Sequence, residues 1–309
     1  MVIIEDNFKM NLSSDTYVSL GSFDGLHLGH MQLIKKAIQC SKDNNTKSMI
    51  HTFKNHPLSI INKELAPKLI MSNKTKVTLL NKMGIDMVNL VPFNKEYMSI
   101  SPEKFIELLI KHYNAKGIIV GFNFRFGRKN SGDVELLKKL SKKLGFDLHI
   151  ISPVKFEDEI VCSTRIRKLI KEGNVEKANS MLYQCFSLEG EVIKGKHFGR
   201  KMNFPTANIK INSDMIVPKN GVYYTVVKYD EKIFKGITNI GYSPTVDGKN
   251  LTIETNILDF NKDIYGENIE VYFVKRMRNE VKFQSVQQLI NQLSKDKMYA
   301  NNQPIIPIY

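Results

Sequence analysis

Apolar positions in the first half of the chain follow two alternating spacings. Five short apolar runs predict buried strands, at residues 17–20, 48–53, 86–91, 117–120 and 148–151. Four intervening segments have apolar residues at helical spacing and predict helices, at about 31–38, 74–83, 102–113 and 134–144. Strands that are apolar on both faces and alternate with helices indicate an α/β fold with a doubly wound parallel sheet.

The pattern changes near residue 184, after which short strands follow one another closely. Their predicted positions are 186–194, 222–229, 233–240, 250–258 and 268–275. Closely spaced strands separated by turn signals favour a small antiparallel β-barrel. Residues 285–297 have apolar side chains on one face and predict a C-terminal helix. We therefore expect two domains, 1–184 and 185–309.

Composition agrees with two globular domains. The chain has 309 residues, 42% of them hydrophobic, and no apolar run approaches the roughly 18 residues of a membrane span. The first residues lack the pattern of a signal peptide, so we expect a cytosolic protein that does not associate with membranes. The cysteines, Cys40, Cys162 and Cys185, lie far apart, which favours reduced thiols over disulfides or a structural zinc site.

The chain carries a strong positive charge. Its formal net charge is +14, a field that attracts anions. Nucleic acid is one class of anion, and nucleotides or phosphorylated small molecules are another. Lysine-rich segments such as 138–143 also have a simpler interpretation as solvated helix faces. Charge alone therefore leaves the class of ligand open.

Residues 21–30 join the first predicted strand to the first predicted helix. Ligands of open α/β sheets bind at the carboxyl ends of strands, and free amides at a helix N-terminus attract phosphate. Gly25 and Gly29 allow a tight turn, and His27 and His30 can donate hydrogen bonds to phosphate oxygens. The two histidines could instead be surface residues or zinc ligands. No third ligand is apparent nearby, so the pattern favours nucleotide binding.

The same segment reads G-x-F-D-G-x-H-x-G-H, which resembles the bifunctional prokaryotic riboflavin kinase/FMN adenylyltransferases. The resemblance covers nearly the whole chain and implies a nucleotidyltransferase fold of Rossmann-like type followed by a riboflavin kinase barrel. It implies that FMN attacks the α-phosphorus of ATP to give FAD and pyrophosphate, with positioning and charge stabilisation by His27 and His30. The residues that it assigns to ATP in this turn are Gly21, Phe23, Asp24, Gly25, His27 and His30.

Three further segments of the first half match this family. Residues 51–57 and 121–127 follow predicted strands, and residues 163–167 resemble the family's S-S-T-x-I-R with Cys162 at the first serine. The resemblance assigns Asn123, Ser163, Thr164 and Arg167 to ATP, and Phe53, Pro57, Phe124 and Phe126 to the flavin. Phe124 and Phe126 could stack on a flavin or adenine ring, or could be core residues. Ser163 could also be a helix N-cap.

The second half contains another signature. Residues 190–197 nearly spell a P-loop, but His197 replaces the hydroxyl residue and no helix follows. Residues 199–208 resemble the riboflavin kinase signature G-R-x-L-G-F-P-T-A-N. Thr206 and Asn208 can both reach a phosphate-bound Mg²⁺, which prefers oxygen ligands, although a β-turn would also use them. The neighbouring residues assigned to ATP are Gly195, Lys196, Gly199 and Arg200.

Downstream segments extend the match, and Glu254 falls at the family's general base. A carboxylate can accept the proton of the ribityl hydroxyl as that oxygen attacks the γ-phosphate. An exposed strand glutamate is the simpler interpretation. The resemblance also assigns Arg278 and Glu280 to the flavin. Asn203 replaces a glycine that is usual in the family, and Asn256 replaces a histidine that is often found two residues after the base.

The sequence thus predicts an enzyme that makes FMN from riboflavin and FAD from FMN, with ATP and Mg²⁺. One alternative is an adenylyltransferase for a different phosphorylated substrate, with the barrel as a binding module. Another is a basic nucleic-acid-binding protein, whose binding would fall steeply with salt. We expect small-molecule partners, no nucleic acid, and a monomer or weak homo-oligomer. Because the kinase motifs all follow residue 190, we expect the two sites to work independently.

Overall fold

The computed structural model describes residues 1–195, 204–245 and 248–308. Its backbone divides into two compact units, residues 1–68 with 72–162, and residues 69–71 with 163–309. The predicted boundary lies later, at residue 184. The helices between 163 and 184 belong to the second unit, where the Asn179 side chain donates a hydrogen bond to the Phe273 carbonyl of a barrel strand at 2.9 Å.

The first unit is built on a six-stranded sheet in which every strand pair is parallel. The strands are β1 (Val2–Ile4), β2 (Thr16–Leu20), β3 (Lys47–Phe53), β4 (Met87–Val91), β5 (Ala115–Gly121) and β6 (Asp147–Ile151). Their order across the sheet is β1-β4-β3-β2-β5-β6. The chain moves outward in one direction from β2 to β4 and then returns to the other side of β2, so the switch point lies between β2 and β5.

Helices connect these strands, and the sheet packs against them. Their bounds are α1 (Leu28–Asp43), α2 (Leu58–Ile61), α3 (Asn73–Lys82), α4 (Lys95–Met98), α5 (Pro102–Tyr113) and α6 (Val134–Leu144). One core cluster joins β2 and β5 to α5 through Val18, Ile118 and Leu109, each fully buried. A two-stranded hairpin, β7 (Lys155–Phe156) and β8 (Glu159–Ile160), follows the sheet. None of the helices among the described residues has the length and apolarity required to cross a membrane.

The doubly wound parallel sheet predicted from the sequence is confirmed. All five predicted strands are present, and the predicted helix at 134–144 matches α6 at both ends. The sequence pattern missed β1, which has only three residues. Val2 and Ile3 are half exposed on this edge strand, so burial imposes little apolar pattern on it.

The second unit is a closed antiparallel barrel of six strands, as the sequence predicted in kind. Two helices precede it, α7 (Ser163–Glu172) and α8 (Val175–Asn179). Its strands are β9 (Ser187–Ile193), β10 (Ala207–Ile211), β11 (Gly221–Tyr229), β12 (Lys232–Thr245), β13 (Gly248–Ile257) and β14 (Asn268–Arg278), followed by α9 (Val286–Asn301). The strand that the pattern missed, β10, is a five-residue segment with only one buried side chain, Ile209, and it closes the barrel between β9 and β13.

The two faces of the barrel wall carry different chemistry. Val222 and Tyr224 pack with Tyr299 and Ala300 of α9, so their face of β11 points outward. The inward face carries Thr225, whose hydroxyl is hydrogen-bonded to that of Thr238 on β12 at 2.9 Å, and Thr238 is in turn hydrogen-bonded to Thr255 on β13 at 2.8 Å. Side chains directly opposite each other on paired strands share a face. The register therefore shows whether a residue on the neighbouring strands points inward or outward.

Candidate active sites

The turn after β2 is held in a strained conformation. Phe23 and Leu26 have positive φ angles of 49° and 43°, on either side of Gly25 at 86°. A left-handed non-glycine residue costs about 1–2 kcal/mol. Both side chains are fully buried, and burial of a large apolar side chain contributes about 1.5–3 kcal/mol. Apolar packing therefore offsets the strain and fixes the turn.

His27 begins α1 as its N-cap. Its Nδ1 accepts a hydrogen bond from the backbone N–H of His30 at 3.3 Å, so a neutral His27 carries its proton on Nε2 and can donate from that atom. The rings of His27 and His30 stack with centroids 3.6 Å apart. A Cβ at Gly29 would stand 3.2 Å from the His27 ring, so glycine leaves room for this stack.

His30 is buried together with the His27 ring on which it stacks. It is 8% exposed, and its ring lies 5.1 Å from that of Phe23. Burial, with contributions from His27 and Lys76, holds the pKa of His30 well below its usual value, so the ring is neutral near pH 7. Among the described residues, its buried Nδ1 has no hydrogen-bond partner. A buried polar nitrogen without a partner is costly, which marks His30 as a candidate functional residue.

Sequence reasoning missed Lys76 of α3, which lies under the same turn. Lys76 is 4% exposed, and its Nζ donates to the Ser22 carbonyl at 3.2 Å. The available signal was a lysine three and four positions before Leu79 and Leu80, on the buried face of a predicted helix.

Three of the predicted segments meet at one edge of the sheet. β3, β2 and β5 are neighbours, so the segments that follow their carboxyl ends lie at the switch point. Phe53 is partly buried against Phe93, with ring centroids 5.3 Å apart, and Asn123 is exposed after β5. Pro57, also partly buried, stands at the start of α2. The topology therefore brings together residues that are far apart in the sequence.

The two phenylalanines after β5 differ in burial. Phe126 is 5% exposed and packs in the core with Phe105, whereas Phe124 is only partly buried and stacks on Phe126 at 5.6 Å. Phe126 is therefore a core residue in this structure. Phe124 has the more accessible ring, and the flavin contacts of both stay predictions.

Residues 163–167 open α7 of the second unit. Helix α7 begins at Ser163 itself, with Cys162 before it, and its buried residues are Ile166, Leu169 and Ile170. Thr164 is exposed and Arg167 is partly exposed on the other side. Their contacts with the triphosphate stay predictions.

Strand register in the barrel aligns Glu254 with two amides. Glu254 of β13 is directly opposite Asn208 of β10 on one side and Asn239 of β12 on the other. Asn239 is in turn opposite Val222, so all three polar side chains lie on the outward face. Asn208 belongs to the predicted magnesium pair, and the barrel thus places the predicted base beside a predicted metal ligand.

Thr206, the other predicted metal ligand, lines a pocket of about 480 Å³ at the barrel wall. The pocket is bounded by β9, β10 and β13 and by residues 260–265, which include Lys262 and Asp263. Ala207 and Thr255 face it, while neither Asn208 nor Glu254 lines it. Thr206 therefore stands at the edge between the pocket and the outward row of amides.

Gly195 explains the position of the Asn208 side chain. A Cβ built at Gly195 would overlap the Asn208 amide, so the backbone and this amide are in close contact. The other predicted ATP residues of this loop, Lys196, Gly199 and Arg200, lie outside the described residues, as does Asn203.

Comparison with known proteins gives the same two parts. The family model for FAD synthetase matches residues 9–165, and the model for riboflavin kinase matches residues 182–303. A bifunctional riboflavin kinase/FMN adenylyltransferase of Buchnera aphidicola (Schizaphis graminum) is 37% identical over 94% of this chain and 96% of its own. Those of Bacillus subtilis and Escherichia coli K12 are 34% and 33% identical over 92% of this chain, and over 90% and 91% of theirs.

This chain belongs to the bifunctional riboflavin kinase/FMN adenylyltransferase family. It carries both domains of that family. A solved structure from Streptococcus pneumoniae named as a macrolide-efflux protein is also similar, with a TM-score of 0.90 and 31% identity over 98% of this chain and 99% of that one. That likeness supports the fold, and the efflux activity in the name of that structure is not attributed to this chain.

One departure from the family pattern has a structural role in this member. Asn256, where the family often has histidine, is 5% exposed and its Nδ2 donates to the Pro205 carbonyl at 2.7 Å. This hydrogen bond fixes the residue before Thr206. Asn256 therefore holds the end of the kinase signature against β13.

The two flavin residues predicted in the kinase domain of this family member have other partners in the structure. Arg278 forms a bidentate ion pair with the buried carboxylate of Asp296 on α9, with a shortest N–O distance of 2.7 Å. Asn239 donates to Glu280 at 3.4 Å. Glu280 therefore extends the row formed by Asn208, Glu254 and Asn239, which we call the polar row. Arg278 thereby fastens α9 to the barrel, and the flavin contacts of both residues stay predictions.

Proposed function

We propose that this chain phosphorylates riboflavin to FMN on the barrel and adenylylates FMN to FAD at the histidine turn, with ATP as the donor in both reactions. Family membership supports the two reactions, and the structure supports their separate residues. The observation that carries the proposal is the pairing of β10 with β13, which sets the predicted base, Glu254, opposite a predicted metal ligand, Asn208. Both residues lie in the unit that does not contain His27 or His30.

In the adenylyl transfer, a phosphate oxygen of FMN attacks the α-phosphorus of ATP. A new P–O bond forms, the bond from that phosphorus to the bridging oxygen breaks, and pyrophosphate leaves with the electron pair. His27 donates from Nε2, and the desolvated turn strengthens this hydrogen bond as charge develops on the leaving group. The protein contributes positioning and charge stabilisation rather than a covalent intermediate.

In the kinase reaction, Glu254 accepts the proton of the ribityl hydroxyl while that oxygen attacks the γ-phosphorus of a second ATP. ADP leaves with the electron pair of the broken bond. Asn208 and Asn239 flank Glu254 on the neighbouring strands, so the carboxylate stands between two polar side chains. The partly buried position of Glu254 on the outward face leaves it accessible to a substrate.

The kinase residues fit a magnesium ion. Thr206 and Asn208 offer a hydroxyl and an amide oxygen, the hard ligands that Mg²⁺ binds together with phosphate. Bound there with ATP, the ion would neutralise phosphate charge. Gly195 leaves room for the Asn208 amide, and the Asn256 amide donates to the Pro205 carbonyl just before Thr206.

The remaining partners follow from this chemistry. We propose riboflavin, FMN and ATP as the ligands that the +14 charge attracts, rather than nucleic acid. We propose the cytosol as the compartment, because it holds ATP and keeps thiols such as those of Cys40, Cys162 and Cys185 reduced.

The test is to supply riboflavin, ATP and Mg²⁺ to the purified protein and to separate the flavins by chromatography. We expect FMN to appear first and FAD to follow. Absence of FMN from riboflavin would overturn the kinase proposal, and absence of FAD from supplied FMN would overturn the adenylylation.

A further inference from the structure

Lys76 occupies a position that a lysine rarely takes. It lies in the first turn of α3, on the face that buries Leu79 and Leu80, and only 4% of it is exposed. A buried ammonium loses its hydration, and the positive end of the helix dipole disfavours a cation in the first turn. Both costs require a compensating interaction or a functional reason.

The hydrogen bond of the Lys76 ammonium and the charged or titratable groups that act on it lie in or beside the histidine turn. Its Nζ shares the Ser22 carbonyl with the Thr52 hydroxyl, which donates to the same oxygen at 2.8 Å. Asp24, 4% exposed, lies near enough to favour the charged form of Lys76, and Lys76 in turn disfavours a proton on His30. The carbonyl of Ser22 would keep one hydrogen bond without Lys76, so the lysine is not needed to satisfy it.

We propose that Lys76 is a positioning residue of the adenylyltransferase site, where its buried ammonium holds the histidine turn and supplies positive charge beneath the departing pyrophosphate. This inference rests on the proposed adenylyl transfer at that turn. The ammonium acts through Ser22 and the electrostatic field rather than by touching the reacting atoms. In a desolvated site, such a fixed charge is worth far more than in water.

The proposal has a proton-linked consequence. Burial lowers the pKa of Lys76 to about 8, and Asp24 partly opposes that shift. The titratable groups that face it are Asp24 in the turn and His30 on α1, with His27 stacked on His30. Arrival of the ATP phosphates favours the charged lysine. At about pH 8 the protein therefore takes up protons at this site when ATP binds.

The first experiment measures that uptake in the wild-type protein. ATP without flavin is titrated calorimetrically at pH 8 in two buffers of different ionisation enthalpy. We expect proton uptake that Lys76→Met abolishes and that Lys82→Met, an exposed lysine on the same helix, leaves intact. Equal uptake in wild type and Lys76→Met, or no uptake in the wild type, overturns the proposal.

The second experiment separates positioning from a purely structural role. Lys76→Met should lower adenylylation of FMN about tenfold or more in protein that circular dichroism shows to be folded and that still makes FMN from riboflavin. Lys76→Arg, which keeps the charge, should recover part of the rate. A lower melting temperature with an unchanged rate in the folded protein overturns the proposal. His30→Ala is the reference: if it leaves adenylylation intact, the site assignment itself is wrong.

Discussion

The histidine turn and the outer wall of the barrel position phosphate-handling groups in opposite ways. In the turn, backbone strain at Phe23 and Leu26 is offset by full burial, and the working imidazole of His30 is buried with it. On the barrel, Glu254 is partly exposed on a regular strand, and register alone sets its neighbours. The position of the histidines thus depends on buried side chains packed under the turn, whereas the position of Glu254 depends on the pairing of β10, β12 and β13.

This difference predicts where each site is vulnerable. Substitutions under the turn act through packing and electrostatics, as proposed for Lys76. Substitutions on the barrel act through the few side chains that touch the polar row. It also predicts that damage at one site leaves the other reaction intact, since His27 and His30 belong to the first unit and Asn208 and Glu254 to the second.

The largest expected effect is that of Glu254→Gln on the kinase. Loss of a general base costs about 10²–10⁴-fold in rate. Formation of FMN from riboflavin should fall by that factor, while FAD formation from supplied FMN stays within twofold of the wild type. Both rates are read from separated flavins, and normal kinase activity in this variant would remove Glu254 from its role.

His30→Ala should have a slightly smaller effect on the other reaction. Removal of one group that stabilises developing charge costs about 10²–10³-fold. FAD formation from FMN should fall accordingly, with FMN formation from riboflavin unchanged. The contrary result is a variant that folds as judged by circular dichroism and still makes FAD at the wild-type rate.

Gly195→Ala tests the close contact in the kinase domain. The new methyl group would overlap the Asn208 amide and push it out of line with Glu254. We expect the kinase rate to fall about tenfold, since small misplacements in an active site are costly. Adenylylation of FMN is the internal control, and an unchanged kinase rate would show that Asn208 does not need its present position.

Asn256 gives a smaller effect and a reciprocal control. Asn256→Leu removes the hydrogen bond to the Pro205 carbonyl, so Thr206 should lose its fixed position and the kinase rate should fall severalfold. Asn256→His restores a donor and the residue that is common in the family, and should keep most of the rate. Equal rates in the two variants would contradict a positioning role for Asn256.

The last prediction concerns stability rather than activity, at His51, a buried histidine of β3. Burial lowers the pKa of His51 to about 3, against about 6.5 in an unfolded chain. Between these values the unfolded state binds more protons, so the folded state loses stability as pH falls from about 6.5 to 3, by up to about 4 kcal/mol. His51→Gln should flatten this dependence in urea unfolding curves, and an equally steep dependence would contradict it.

Much of the fold was readable from the sequence because burial imposes a pattern. Both faces of β2 to β5 are covered, so nearly every residue of these strands is buried and apolar residues predominate, and α6 has a capping aspartate and a terminal glycine that define its ends. β10 escaped because only Ile209 of its five residues is buried, and β1 because an edge strand of three residues has no periodicity.

The site was readable only in part, for a related reason. His27, His30, Thr206 and Glu254 lie within short motifs, and chemistry restricts the spacing of such residues. Lys76 is hydrogen-bonded to Ser22, and a separate buried network joins Asp6, Asn89, Tyr113 and His51. These hydrogen bonds span 24 to 107 positions, so no local sequence pattern reveals them. Long-range polar contacts follow from the fold, and the sequence shows them only as polar residues in apolar surroundings.

The independence of the two sites can be measured by mixing Glu254→Gln protein with His30→Ala protein and supplying riboflavin, ATP and Mg²⁺. Each variant alone should make little or no FAD from riboflavin. The mixture should make FAD, because FMN released by the intact barrel of one variant can be adenylylated by the intact turn of the other. A mixture that accumulates FMN without FAD, or that makes neither, contradicts two separate and self-sufficient sites.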